Sequence, residues 1–162
     1  MHYAQGDEKA ICETYIAHAA AIAASAYCFR SKCGSVIVKD NTIIGQGFNS
    51  PPGNECIERC LKDDLPKEFK SDKTCCVHAE QRAIMDALAM HPQKMKGARI
   101  YFIRLDERGQ PTPAGKPYCT ICSKMALDAG IGEFVLWQAE GMAIYPTDEY
   151  NALSFAYRPD IK

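Results

Sequence analysis

Two short motifs bring together side chains that could hold a metal ion. His78 is followed two positions later by Glu80. Cys119 and Cys122 stand three positions apart, shortly after Pro117. Because one helical turn brings residues three positions apart to the same side, both thiols can point at one ion. The positive end of a helix dipole lowers thiol pKa values and so supplies the thiolates that a metal needs.

One imidazole and two thiolates are ligands typical of zinc, and three protein ligands leave the fourth tetrahedral position to water, as in catalytic sites. Two thiolates neutralise the dication, while the metal still lowers the pKa of its bound water. Glu80 is close in sequence to His78 without being an obvious ligand, so it is the candidate proton carrier. The motifs therefore predict a hydrolytic zinc site.

Each motif alone has other interpretations. A Cys-x-x-Cys pair in a cytosolic α/β protein can be a redox pair or half of a structural zinc site. The combination is more specific, because His-x-Glu followed by Pro-Cys-x-x-Cys is the signature of zinc deaminases. Here His78-Ala79-Glu80 supplies the first part, and Cys119-Thr120-Ile121-Cys122 after Pro117 supplies the second.

The elements that must position these motifs alternate between helix and strand. Apolar residues spaced three and four apart predict helices, and runs of β-branched and aromatic residues predict strands. The polar pair Asp40-Asn41 predicts a two-residue hairpin turn, and Gly130 predicts a helix end. The predicted helices span residues 8–28, 78–90, 120–129 and 148–157, and the predicted strands span residues 35–39, 42–48, 99–105 and 133–137. This order predicts a layered α/β domain with helices covering a sheet of at least four strands.

Composition limits the classes of protein that fit. The chain has 162 residues, 47% of them hydrophobic, which suits one domain covering residues 1–162. Its 19 basic and 20 acidic residues give no global positive field to attract nucleic acid or an anionic membrane. Residues 1–8 lack a signal pattern, and no apolar stretch approaches the ~20 residues that span a bilayer. We expect a cytoplasmic protein with no membrane partner, whose nine cysteines are thiols and metal ligands.

From about residue 17 to residue 137 the chain resembles the cytidine deaminase superfamily, and more narrowly the deoxycytidylate (dCMP) deaminases. The segments that carry the resemblance are residues 33–38, 45–52, 75–84, 119–124 and 129–131. The resemblance implies a cytidine deaminase-like three-layer α/β/α fold, with a mixed sheet of about five strands covered by helices. It also implies zinc on His78, Cys119 and Cys122, and proton transfer by Glu80. It also implies that Asn49, at the end of the second predicted strand, contacts the sugar.

The implied reaction is the hydrolytic deamination of a cytosine-containing nucleotide, with dCMP to dUMP as the first choice. Zinc-bound hydroxide would attack C4 of the base while Glu80 protonates N3 and then the departing amine. Arg30 and Ser31 could bind a 5′-phosphate, since a guanidinium can donate two parallel hydrogen bonds to phosphate oxygens. The alternative is that these residues belong to a solvated loop. The candidate substrate-binding residues are Asn49, Ala79, Tyr118, Arg30 and Ser31.

Two positions depart from the family pattern. Tyr118 stands between Pro117 and Cys119, where the family usually has proline directly before the first cysteine. Arg82 stands where the family favours asparagine. The metal site should tolerate Tyr118, whereas the floor of the base pocket should differ there.

A long aperiodic segment, residues 49–76, contains further cysteines. Loops of this length are usually functional, stabilised by a bound metal ion, or disordered. Cys56, Cys60 and either Cys75 or Cys76 could hold a second, structural zinc, although a fourth ligand is not evident. The alternative is that these are thiols near solvent or small buried hydrophobic side chains.

Three functions remain open at this point. The first is a deaminase of a free nucleotide, nucleoside or base, and a homo-oligomer is implied by the resemblance. The second is a nucleic-acid deaminase that acts on a flipped base, which the balanced charge disfavours. The third is a non-catalytic, zinc-stabilised interaction domain, which would have no need of Glu80.

Overall fold

The chain forms one mixed sheet with helices on both faces, seen in a computed structural model that describes residues 1–65 and 76–158. The strands are β1 (His2–Tyr3), β2 (Lys32–Lys39), β3 (Thr42–Phe48), β4 (Arg99–Leu105), β5 (Pro111–Thr112), β6 (Glu133–Gln138) and β7 (Gly141–Pro146). The helices are α1 (Gly6–Ala23), α2 (Ala79–Met90), α3 (Thr120–Asp128) and α4 (Thr147–Ala156). Short 3₁₀ helices span Pro52–Asn54, Leu61–Asp64 and Pro92–Lys94.

The strands are arranged in the order β1-β7-β6-β4-β2-β3, and β5 pairs with the end of β4. The pairing of β4 with β6 is parallel, whereas β4 with β2 and β2 with β3 are antiparallel. The hairpin turn lies at Asp40 and Asn41, both with positive φ, as a two-residue turn of this class requires. Five strands have six or more residues, in agreement with the predicted sheet.

Alternation along the strands divides the buried side chains between two layers, because successive residues of a strand point to opposite faces. Helix α1 covers one face of the sheet, and helices α2, α3 and α4 cover the other face. The α1 face buries Cys12, Ile16, Ala19, Ala23, Val36, Val38, Tyr101, Ile103, Val135 and Ile144. The opposite face buries Ile37, Ile44, Ala83, Ile84, Ile100, Ala126, Phe134, Leu136, Tyr145 and Tyr150. The predicted α/β/α layering is confirmed.

Some boundaries differ from the sequence-based expectation. Helix α1 ends at Ala23 rather than at residue 28. The chain turns there, since the amide of Ala26 donates to the carbonyl of Ala23 and that of Tyr27 donates to Ser50 Oγ. Strand β7 was not predicted, and β1 and β5, with two residues each, are too short to show a periodicity.

The segment after β3 is more regular than predicted. It contains the 3₁₀ helices at Pro52–Asn54 and Leu61–Asp64, and Ser50 forms an antiparallel bridge with Val77. This bridge brings the end of β3 beside the start of α2. It therefore joins the segment that contains Asn49, directly before Ser50, to the segment that contains His78, directly after Val77.

Two glycines let α2 lie directly on strand β3. A Cβ atom at Gly47 would lie 2.5 Å from the carbonyl oxygen of Ala79 and 2.5 Å from the amide nitrogen of Ala83. A Cβ atom at Gly45 would lie 2.5 Å from the carbonyl oxygen of Ala83. Real Cβ atoms do not approach backbone this closely, so a helix can sit at this depth only over glycine. This packing fixes the first turn of α2 against the sheet.

No helix within residues 1–65 and 76–158 combines the length and the apolar character needed to cross a bilayer.

Candidate metal centre and active site

His78 immediately precedes α2 and is held there by the helix start. Its backbone amide donates to Oε1 of Gln81 at 3.1 Å, and its carbonyl accepts from the amide of Arg82 at 3.1 Å. These bonds satisfy groups that a helix end leaves free. The imidazole is thereby directed toward the start of α3.

Cys119 and Cys122 occupy the corresponding position on α3. Cys119 is the residue before the helix, and its carbonyl accepts from the amide of Ser123 at 3.1 Å. Cys122, one turn later, is fully buried. The hydroxyl of Ser123 lies 2.8 Å from Oδ1 of Asn151, which ties α3 to α4. The first turn of α3, which contains Cys122, is therefore held by the backbone of Cys119 and by α4.

The three ligand atoms converge. His78 Nδ1 lies 3.3 Å from Cys122 Sγ and 3.4 Å from Cys119 Sγ, and the two sulfurs are 3.2 Å apart. Tetrahedral zinc, with Zn–S of ~2.3 Å and Zn–N of ~2.0 Å, would space such atoms by roughly 3.5–3.8 Å. The donors therefore fit zinc after shifts of a few tenths of an ångström. Within residues 1–65 and 76–158 this is the one cluster of three such ligands.

The two thiols differ in their acidity. Hydrogen bonds from Cys122 and His78 lower the pKa of Cys119 to about 4, although burial opposes this. The neighbouring Cys119 and burial raise the pKa of Cys122 above its ordinary value. One thiolate is thus stable in the protein alone, whereas a second needs the positive charge of a metal ion.

Glu80 lies in the first turn of α2 and is only 6% exposed. Burial, and after it the negative charge of Cys119, raises the pKa of Glu80 above its ordinary value. A carboxyl group in such surroundings holds a proton more readily than one in water. Glu80 is therefore suited to accept and release protons.

A cavity of about 200 Å³ joins the metal ligands to most of the other predicted site residues. The predicted residues that line it are Ser31, Asn49, His78, Ala79, Glu80, Tyr118 and Cys119. Cys122 is buried behind this wall. Sequence reasoning missed Cys33, Phe102, Arg104 and Lys116, which line the same cavity. The alternation of side chains along β4 could have indicated Phe102 and Arg104, because it places both on one face of the sheet.

Asn49 is 8% exposed and fixes the loop before β2. Its Oδ1 accepts from the amide of Cys33 at 2.7 Å, and its Nδ2 donates to the carbonyl of Ser31 at 2.8 Å. An amide side chain has two donor hydrogens and two acceptor lone pairs. One hydrogen and one lone pair therefore remain for a ligand in the cavity.

Arg30 is not brought to this cavity. Its guanidinium pairs with the carboxylate of Asp63, and it lines a neighbouring cavity of about 960 Å³. Ser31 and Arg104 line both cavities. Of the two residues predicted for phosphate binding, the structure places only Ser31 in the cavity that Glu80 lines.

The cysteine-rich segment is described only in part. Cys56 is exposed and Cys60 is buried, while Cys75 lies outside the described residues. No group of three metal ligands includes Cys56, Cys60 or Cys76 among the residues described. The second zinc therefore stays a prediction.

Comparison with known proteins agrees with the site. The family model described as the cytidine and deoxycytidylate deaminase zinc-binding region matches residues 9–138. The chain belongs to this family. It is accordingly an enzyme of the zinc-dependent deaminase class, and His78, Cys119 and Cys122 agree with zinc as its cofactor.

Individual relatives support the same assignment. A deoxycytidylate deaminase of Mycobacterium phage D29 is 31% identical over 131 residues, covering 76% of this chain and 91% of the relative. The dCMP deaminase of cyanophage S-TIM5, solved with dCMP and dUMP, superposes with a TM-score of 0.56 at 24% identity, over 81% of this chain and 82% of that one. The cytidine deaminase of Burkholderia pseudomallei gives a TM-score of 0.57 at 19% identity, over 85% of this chain and 94% of that one. At these identities the solved structures establish the fold.

Tyr118, one of the two departures from the family pattern, forms part of the cavity wall. It is 51% exposed, its ring centroid lies 5.8 Å from that of Tyr157, and its hydroxyl accepts from Nη2 of Arg104 at 3.5 Å. Partial burial raises the pKa of Tyr118. The extra residue before the first cysteine therefore places an aromatic ring and a hydroxyl at the cavity.

Arg82, the second departure, links the two segments that lead into the site. Its Nη2 donates to the carbonyls of Ser50 at 3.3 Å and Pro51 at 2.8 Å. The same Ser50 carbonyl accepts from the amide of Val77 at 2.9 Å. Arg82 thus holds the turn after Asn49 against the residue before the metal ligand.

We expect Arg82→Met to lower stability by about 1–2 kcal/mol, because two carbonyl partners of a charged donor are lost. For a chain of this size the expected change in Tm is roughly 5 °C. The measurement is thermal unfolding, with zinc per chain determined on the same samples. Arg108→Met, at an exposed turn, is the matched control and should leave Tm unchanged. An Arg82→Met protein that unfolds together with the control would contradict this role.

Proposed function

We propose that this enzyme deaminates dCMP to dUMP by hydrolysis and that Glu80 carries the protons. The observation that supports this best is the burial of Glu80 in the cavity that His78 and Cys119 also line. The relatives agree, since the phage D29 protein is a deoxycytidylate deaminase and the S-TIM5 enzyme was solved with dCMP and dUMP.

The protein's own groups account for the proton transfers. Zinc, when bound, supplies Lewis acidity that makes a water molecule nucleophilic at neutral pH. Glu80 takes a proton from the attacking water and delivers it to N3 of the base as the oxygen adds to C4. Glu80 then takes the remaining proton of that oxygen and delivers it to the amine, the C4–N bond breaks, and ammonia leaves. The sum is dCMP and water to dUMP and ammonia.

Other residues of the cavity position the substrate in this proposal. The free donor and acceptor of Asn49 face the sugar, and Ala79 and Tyr118 flank the base. The small side chain of Ala79 leaves space over the first turn of α2, where Glu80 lies. The single-domain organisation, the cytoplasmic location and the homo-oligomer stay predictions of the sequence.

We expect ammonia release from dCMP to exceed that from every other candidate. For deoxycytidine, cytidine and cytosine the expected margin in kcat/KM is at least about 10-fold, since they lack the phosphate and one charged hydrogen bond is worth roughly that much. The panel contains dCMP, CMP, dCTP, deoxycytidine, cytidine, cytosine and guanine, together with a cytosine-containing single-stranded oligonucleotide. Each assay is run on protein with one zinc per chain, and the Glu80→Gln protein gives the blank.

Every outcome of this panel has a meaning. Turnover of dCMP above the others supports the proposal. Preference for a nucleoside, a free base or the oligonucleotide would keep the deaminase chemistry and reject dCMP as the substrate. A zinc-loaded protein that releases no ammonia from any of them would reject the proposed function altogether.

A further inference from the structure

Tyr118, which directly precedes the first cysteine ligand, has a second aromatic ring beside it. The ring of Tyr157 lies 5.8 Å from the ring of Tyr118, centroid to centroid, with an angle of 49° between the ring planes. Among the aromatic contacts within residues 1–65 and 76–158, this is the one that Tyr118 makes. Tyr118 lines the active-site cavity, and Tyr157 is not among the residues that line it. An effect of Tyr157 on the site therefore passes through Tyr118.

The backbone of Tyr118 is fixed, whereas its side chain is half exposed. Pro117 before it is buried, and Cys119 after it is the residue at which α3 starts. The hydroxyl of Tyr118 lies 3.5 Å from Nη2 of Arg104, which is long for a hydrogen bond. A tyrosine ring turns about two side-chain bonds, and a fixed backbone does not by itself hold them. The packing of Tyr157 therefore limits the positions that the Tyr118 ring can take.

Tyr157 is anchored to the fold by α4. This helix is held at Tyr150, whose ring stacks on that of Phe134 with centroids 3.9 Å apart and an angle of 10°. The backbone leaves the helix at Tyr157. There Nη1 of Arg158 donates to the carbonyl of Phe155 at 2.9 Å and to that of Tyr157 at 2.8 Å. The Tyr157 ring therefore extends from a helix end that is itself fixed.

We propose that Tyr157 is a positioning residue, which holds the Tyr118 ring against the active-site cavity and thereby strengthens substrate binding. This inference rests on the proposed function, in which Tyr118 flanks the base. A tilted aromatic pair stabilises the position of both rings, so the loss of one ring frees the other. Substrate binding must then order Tyr118 as well, and that entropic cost lowers the affinity. Because Tyr118 departs from the family pattern, the pair is a feature of this chain and not of the family signature.

Steady-state kinetics of Tyr157→Ala test this role on zinc-loaded protein, with whichever candidate substrate the enzyme deaminates best. We expect KM to rise about 3–10-fold, which corresponds to the loss of one aromatic pair. The expected kcat stays within about 2-fold, because a contact that is equally present before and in the transition state changes KM alone. Tyr157→Phe keeps the ring and should keep KM within about 2-fold. Phe155→Ala removes another exposed ring from the same helix end and is the matched control, with both parameters unchanged.

A double-mutant cycle shows whether Tyr157 acts through Tyr118. In the Tyr118→Ala background, Tyr157→Ala should change KM by less than about 2-fold, because the ring that Tyr157 positions is gone. If Tyr157→Ala raised KM equally with and without Tyr118, the proposal would be overturned. An unchanged KM in Tyr157→Ala alone would overturn it as well.

A measurement without substrate separates this inference from the proposed function. In protein labelled with fluorotyrosine, the fluorine NMR signal of Tyr118 is assigned by its absence from Tyr118→Phe. We expect this signal to shift in Tyr157→Ala and to keep its position in Phe155→Ala. An unshifted signal in Tyr157→Ala would overturn the proposal whatever the substrate is. If the signal shifts but no candidate substrate releases ammonia, the proposed function is rejected, whereas the positioning of Tyr118 by Tyr157 is supported.

Discussion

Glu80→Gln is expected to lower kcat for dCMP deamination by at least about 10³-fold. General acid and base catalysis at one step contributes roughly 10²–10⁴-fold, and in the proposed reaction Glu80 serves in both proton transfers. Glutamine has nearly the same shape but cannot take up or release the proton. Ammonia release under saturating dCMP measures the effect, and zinc per chain on the same protein should remain at about one, because Glu80 is not among the three ligands.

The substitution should not unfold the protein. Burial raises the pKa of Glu80, so its charged form is already disfavoured in the folded state, and a neutral isostere removes that penalty. Glu140→Gln, in the exposed turn before β7, is the matched control and should keep kcat within about 2-fold of the unmodified enzyme. A Glu80→Gln protein that retains more than a tenth of the activity would show that another group carries the protons.

Gly34→Ala is expected to destabilise the fold by about 3 kcal/mol or more, at the upper end of overpacking changes. A Cβ atom at Gly34 would lie 2.0 Å from the carbonyl oxygen of Ala19 and 2.8 Å from the amide nitrogen of Ala23. Both obstacles are backbone atoms of α1, so no side-chain rotation relieves the contact. The helix must move away from β2, and the buried α1 layer then loses its packing.

Thermal unfolding measures this effect, with an expected decrease in Tm of about 10 °C. Gly115→Ala is the control, because a Cβ atom there meets nothing within 4 Å and Gly115 is not among the glycines with positive φ. The control should unfold within about 2 °C of the unmodified protein. If Gly34→Ala unfolded together with Gly115→Ala, α1 would not lie on β2 at the depth described.

Local chemistry allowed much of the site to be predicted from the sequence. The two cysteines are one helical turn apart, His78 and Glu80 share the start of the preceding helix, and zinc accepts this ligand set. The spacing of residues within each motif can be recognised without knowledge of distant parts of the chain. For the same reason the long elements other than α1 and β7 were located to within a few residues. Strand β7 was missed, and the end of α1 depended on a contact between Tyr27 and Ser50.

The sequence by itself predicted the metal ligands, a candidate proton carrier and the layered fold, because each motif and each helix or strand is built from residues close together along the chain. Only the tertiary structure decided what surrounds them. Strand register sets Arg104 opposite Cys33, and the ion pair with Asp63 holds Arg30 in the neighbouring cavity. Such placements follow from pairing between remote segments, and a one-residue change of register would turn every side chain of a strand to the other face.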